Sequence, residues 1–223
     1  MNRKMRKPLM YESSYLYRPG LTLISLLLVS CSVAARIPTV SDDRVEHLIK
    51  NEAAQIIAIT ADSENFARYR FYLSDFPRKD ILGLSVGNRR IYISYSLAQL
   101  AMSSPRHWWL LRQTLAHEIA HELSGHANQT ETTAFNRQTL SSGMTGADIG
   151  LPPNIQLRPY SLENELAADL EGMNYWQKLG WDCHIWVRIL QGFQRQNYTG
   201  DVLHPTDQRL KQAVSACPSE SNG

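Results

Sequence analysis

Five consecutive residues, His117-Glu118-Ile119-Ala120-His121, have the types and spacing of a hydrolytic metal site. On a helix, four residues make just over one turn, so both imidazoles leave the same face and can reach one metal ion. The glutamate between them is placed to act on a water bound to that ion. The competing reading is a helix that merely happens to carry these side chains. Two histidines leave a metal short of ligands, so a third must come from elsewhere. Glu165 and Asp169 are four apart in a second helical stretch and share a face, as a carboxylate ligand and a supporting acid would. The supporting acid takes the other N–H of a metal-bound histidine. Taken alone, the pair would read as an acidic, solvated face. Glu163 points about 200° round the helix from Glu165 and lacks such a partner, so it is the weaker candidate.

The flanking sequence says how these residues are held. Ser104-Pro105 is a good helix start, with a capping serine and a proline in the first turn. Trp108, Leu111, Leu115 and Ile119 then gather on one side of that helix, roughly opposite His117 and His121. An earlier helix begins at Ser41-Asp42, with Val45, Leu48, Ile49, Ile56 and Ile57 at helical spacing. Tyr69, Phe71 and Leu73 alternate with Arg68, Arg70 and Tyr72 as in a half-buried strand. Leu82 to Val86, Gly87-Asn88 and Ile91 to Tyr95 read as a hairpin turning at the Gly-Asn pair. The expected class is therefore α+β: a mainly helical single domain with a small antiparallel sheet beside the metal helix. The strand Ile91–Tyr95 could form the edge of a cleft and pair with an extended peptide; otherwise it is an ordinary internal strand. Residues 127–160 are polar, rich in Asn, Gln, Thr, Ser and Gly, and read as a flap-like loop insertion.

The chain of 223 residues suits one domain plus a leader, and its 43% hydrophobic content is enough to bury a core. The net charge of +2 comes from the first 30 residues, which hold Arg3, Lys4, Arg6, Lys7 and Arg18 against Glu12. That run reads as a targeting segment, and no basic cluster elsewhere suggests nucleic acid as a partner. Leu21 to Ser30 is too short to span a bilayer but suits the apolar core of a signal peptide. It ends in Leu28-Val29-Ser30-Cys31, which resembles the bacterial lipobox, so Cys31 is the expected lipidation site. Cleavage after Ala34 or Ala35, or an uncleaved anchor, are the alternatives. The expected organisation is a signal peptide over 1–30, a tether over 31–40, one domain over 41–217 and a tail over 218–223. With Cys31 lipidated, Cys183 and Cys217 remain, an even pair in an oxidising compartment: a disulfide, or else two buried thiols.

One zinc class fails on counting. The metzincin pattern requires glycine and histidine at positions held here by Ser124 and Ala127, which leaves His126 a structural reading. The chain instead resembles the zinc metallopeptidase family typified by the CAAX prenyl proteases and the bacterial membrane-stress proteases, in particular their small periplasmic lipoprotein members. The residues that carry the resemblance are Ile91–Tyr95, His117-Glu118-Ile119-Ala120-His121 with His126, and Glu165 to Asp169. Leu179-Gly180-Trp181-Asp182 and His204-Pro205-Thr206-Asp207-Gln208-Arg209 add to it, and together they span roughly residues 45–215. Three departures stand out: Leu162 where the family often has arginine, no recognisable Asn-Ala-Phe before the edge strand, and Cys183 where a proline is common.

The resemblance implies a zincin-like (gluzincin) endopeptidase with one Zn2+ per chain on His117, His121 and Glu165. Glu118 is then the general base and Asp169 the acid behind the ligands. His204 is implied to lie close to the metal, as an oxyanion stabiliser or a gating ligand. The expected substrates are unfolded or misassembled envelope proteins. The expected location is the outer membrane, facing the periplasm on an N-terminal lipid anchor. The rival from another class is a zinc-stabilised envelope chaperone or assembly lipoprotein with little proteolysis, which would not need Glu118. A non-proteolytic hydrolase on the same site is a third reading.

Overall fold

A helix that offers two histidines to one ion has to be held on several sides at once, and the chain builds its core around such a helix. The computed structural model describes residues 37–76, 81–127, 160–195 and 206–218. The leader with Cys31, most of the tether, nearly all of the 127–160 insertion, His204 and the end of the tail lie outside the described residues. The described elements, labelled in chain order, are α1 (Asp43–Ala58), a 3-10 turn (Ser63–Arg68), β1 (Arg70–Ser74), β2 (Gly83–Ser85), β3 (Arg90–Ser94) and α2 (Tyr95–Ala101). They continue with α3 (Pro105–Leu123), α4 (Leu162–Lys178), α5 (Cys183–Arg195) and α6 (Thr206–Ala216). The class is α+β, mostly helical, as the patterning implies.

α3 is the central element. Ser104 caps it and Pro105 opens it, as the sequence predicts, and every residue from Leu111 to His121 is buried. Leu111, Leu115 and Ile119 face the apolar core. On the other side α4 comes close, because Gly172 has no side chain. A Cβ there would stand 2.9 Å from Trp186 Cη2 and 3.2 Å from the Ala116 carbonyl carbon. Anything larger forces α4 off α3, which matters because α4 carries the candidate carboxylates.

α1 begins where expected, with the Asp42 side chain accepting from the Arg44 and Val45 amides. Its buried Glu52 accepts from Trp108 Nε1 at 3.0 Å and pairs with Arg112, both on α3. The Arg112 guanidinium lies 3.8 Å from the Trp108 ring centroid and 4.1 Å from that of Trp181. Removing either member of this buried pair strands the other charge, at a cost of about 3–5 kcal/mol.

The sheet corrects two expectations. Its order is β1-β3-β2, and it is mixed: β3 runs antiparallel to β2 but parallel to β1, with Phe71 opposite Ile91 and Leu73 opposite Ile93. Phe71, Leu73, Ile91 and Ile93 bury together only if the two strands share one phase, and the parallel register achieves this. The Ile91–Tyr95 segment is therefore not an edge strand: β3 lies in the middle and Tyr95 already starts α2. The edge beside α3 is β2. The hairpin itself turns where predicted, with φ of 78° at Gly87 and 55° at Asn88. Arg89 also has a positive φ, 57°, and three contacts hold it there. Its amide donates to Glu122 Oε1 at 2.6 Å, and its guanidinium donates to both Asp62 oxygens at 2.9 and 3.0 Å.

Cys183 and Cys217 form a disulfide with their Cα atoms 5.6 Å apart, joining the start of α5 to the residue just beyond α6. Closing a loop of sequence separation 34 removes about 3–4 kcal/mol of chain entropy from the unfolded state. Among the described residues no helix is long and apolar enough to cross a membrane.

Candidate metal centre

α3 and α4 bring the predicted donors to one point. His117 Nε2 and His121 Nε2 are 3.0 Å apart, and Glu165 Oε2 is 3.1 Å from the first and 3.2 Å from the second. At metal–ligand bonds near 2.0–2.1 Å, the corners of a tetrahedron stand about 3.3–3.4 Å apart, so this nearly equilateral triangle is a tetrahedral face with little adjustment. Glu165 is 1% exposed, His121 1% and His117 7%. Glu163 lies exposed on the far side of α4, which agrees with its weaker candidacy.

The chemistry of the donors fits a cation as well as their spacing does. His117 Nδ1 is 2.9 Å from Asp169 Oδ1, and an ionised carboxylate only accepts, so the proton sits on Nδ1. That leaves Nε2 facing Glu165, where it carries a proton in the metal-free protein and offers a lone pair once a cation displaces that proton. His121 Nδ1 faces His126 Nδ1 at 2.9 Å, and one proton shared there leaves His121 Nε2 free to donate its lone pair. Two imidazole lone pairs and a carboxylate oxygen converging in a buried space repel one another unless a proton or a metal ion lies between them. The group can hold a metal ion.

The proton balance follows from the same contacts. Burial opposes charge on His117, but Asp169 and Glu165 on either side outweigh it and raise its pKa to about 10. Burial dominates at His121, with the neighbouring His117 charge adding to it, and lowers the pKa to about 4. Burial would push the Asp169 carboxyl up, yet Arg209 and His117 hold it well below the usual carboxylate range.

Matched against protein-family models and against curated proteins, the chain finds no counterpart.

Glu118 lies beside the triangle, 7% exposed, and its Oε2 accepts the Ser85 amide at 2.7 Å. β2 comes near enough to make this bond because of Gly83. A Cβ at that position would stand 2.7 Å from Thr114 Cγ2 and 2.8 Å from Glu118 Cγ, so a larger residue would displace the glutamate. Ser85 is held from two more directions: its hydroxyl donates to Glu122 Oε2 at 3.0 Å and its carbonyl accepts from the Tyr160 hydroxyl at 2.7 Å. The Tyr160 ring also stacks on His121, with centroids 4.0 Å apart and planes 16° apart.

Sequence reasoning brings together His117, Glu118, His121, Glu165 and Asp169, and all five meet. It missed Arg209, Tyr160, Ser85 and Glu122 as members of the site, and gave His126 no partner. A glycine inside the apolar run Leu82–Val86 was the one available signal of a close approach to β2. A second group, Cys183, His184 and Cys217, also lies within reach of one ion, but both sulfurs are spent on the disulfide. His204 is outside the described residues, though the stretch that follows it forms α6.

Proposed function

We propose that this chain is a zinc-dependent endopeptidase with a zincin-like site, working on unfolded or misassembled proteins of the bacterial cell envelope. The observation that carries the reading is a glutamate that is not among the three converging donors, held beside them by a strand-edge amide. A purely structural metal site has no use for such a group. When bound, zinc would acidify a water and polarise the peptide carbonyl. His117, His121 and Glu165 would hold the ion, and three protein donors leave a fourth position for water or substrate. Glu118 would take a proton from the attacking water on its carboxylate and deliver it to the leaving amine. The Ser85 amide fixes which way that carboxylate faces, and Asp169 keeps the His117 proton on Nδ1. The zincin class is supported by the spacing of the motif and by a glutamate donor from a following helix. The leader and lipobox support an outer-membrane, periplasm-facing lipoprotein anchored through Cys31.

The test is incubation of purified wild type and Glu118→Gln with an unfolded outer-membrane protein, with fragments read by mass spectrometry and metal content measured alongside. Cleavage should fall by roughly 10²–10⁴-fold in the variant while metal content is unchanged. Equal cleavage by both proteins would remove Glu118 from the role of base, and full rescue of a deletion strain by Glu118→Gln would replace the peptidase with the chaperone reading.

A further inference from the structure

Arg209 enters the centre from α6, an element that supplies none of the three converging donors. Its Nη2 donates to Asp169 Oδ1 at 2.8 Å and its Nε donates to Oδ2. The Asp169 side chain is 4% exposed and that of Arg209 12%, so the fork–carboxylate pair is shielded from water. Asp169 Oδ1 is the same atom that receives the His117 Nδ1 proton. A carboxylate gripped at both oxygens cannot rotate, and it has every reason to stay ionised. It accepts from His117 Nδ1 in one fixed direction, so the ring is held with Nε2 turned towards the other donors.

α6 is only 11 residues long, too short to hold its shape by itself. Gln212 Nε2 ties it to the Leu166 carbonyl at 2.6 Å, and Gln177 reaches the Ala216 carbonyl at 3.2 Å. Covalent closure comes from Cys217, one residue past its end, bridged to Cys183. Arg209 and Cys217 lie about 12 Å apart along the helix. The bridge thus anchors one end of a lever whose other part reaches the back of a metal ligand.

We propose that Arg209 is a positioning residue of the metal centre, locking Asp169 and through it the ring and tautomer of His117, and that the Cys183–Cys217 bridge keeps α6 in place for this. The inference rests on His117, His121 and Glu165 holding an ion, and it is independent of whether the protein cleaves anything.

The experiment measures Zn2+ affinity of the full chain by competition with a chromophoric chelator at fixed pH, without substrate. Arg209→Gln should weaken binding by about 10–100-fold. Arg209→Lys, which keeps the charge but loses the fork, should fall between the two. Cys183→Ala/Cys217→Ala, which frees no thiol at either bridge position to bind zinc, should weaken binding by less than Arg209→Gln. Adding Arg209→Gln to that background should cost less than it does alone, because both changes act on one contact. Nitrogen NMR of the imidazoles in the zinc-loaded protein should show the His117 Nδ1–H bond to Asp169 weakened in Arg209→Gln but not in Gln212→Ala, which loosens α6 without touching Asp169. Wild-type affinity in folded Arg209→Gln, or in Arg209→Lys should the first variant not fold, overturns the role of Arg209. Strict additivity detaches the disulfide from it. A wild type that binds no zinc overturns the metal reading too, whereas tight binding that ignores all these variants overturns this inference alone.

Discussion

His117 and His121 sit one turn apart on α3 and aim at the same point, yet the protein backs them in opposite ways. Behind His117 stands a charged relay: a buried aspartate, and behind it an arginine from another helix. Behind His121 stands a second imidazole, and the flat face of Tyr160 covers its ring. The first arrangement makes the ligand basic and fixes it by charge. The second keeps the ligand neutral and fixes it by packing. A site built this way carries positive charge on His117 and not on His121, so an incoming cation has a single proton to displace, the one on His117 Nε2.

The largest effect belongs to the donor that both imidazoles share. Glu165→Ala removes the carboxylate at 3.1 and 3.2 Å from the two rings, and the purified protein should carry no stoichiometric metal by elemental analysis. Next comes the contrast between the two supports. Asp169→Asn should weaken zinc binding by about 10–100-fold, because the charge that stabilises the ligand's Nδ1–H disappears and Arg209 loses its charged partner there. His126→Ala should cost less than about tenfold in the same chelator competition, since water can replace a neutral partner. Equal losses would mean that the two supports do the same job.

The third effect is a pH dependence, and its sign differs between the two rings. The His117 pKa rises from 6.5 to about 10 on folding, so its stabilisation of the metal-free protein is complete below about pH 6.5 and is lost as pH climbs through 10. The His121 pKa falls from 6.5 to about 4, so its contribution is present above pH 6.5 and is lost as pH drops towards 4. Thermal melts of the metal-free protein should therefore peak near neutrality and decline on both sides. On the alkaline side the metal-loaded protein should hold its Tm, having no proton there to lose. The smallest effect is expected from Tyr160→Phe. It keeps the stacking on His121 and loses only the bond to the Ser85 carbonyl, worth about 0.5–1.5 kcal/mol in a denaturant titration with zinc affinity unchanged.

How much of this was legible in the sequence depends on the distance over which each contact acts. The five residues His117, Glu118, His121, Glu165 and Asp169 could be read because helical periodicity fixes which side chains share a face, and each helix carries its own pattern. The mixed sheet could not. The alternation in Phe71–Leu73 and Ile91–Ile93 says which face is buried, but the hairpin signal at Gly87-Asn88 only fixes the pairing of β2 with β3. Nothing local says that β1 joins the other side in parallel. Arg209 lies 40 residues from Asp169 and Glu52 lies 60 from Arg112, so these pairs exist only once separate helices have packed. Ser85 contributes backbone groups, which no residue type announces. Cysteine parity, by contrast, pointed correctly to the bridge between Cys183 and Cys217.

That bridge has a practical consequence for anyone handling the molecule. It turns the interval from Cys183 to Cys217 into a closed ring, so a single break in the backbone anywhere inside it releases no fragment. On a non-reducing gel, a chain nicked there would migrate near the intact protein. If the protein trims itself or is trimmed within that interval, the event becomes visible only after a thiol or phosphine has opened the ring.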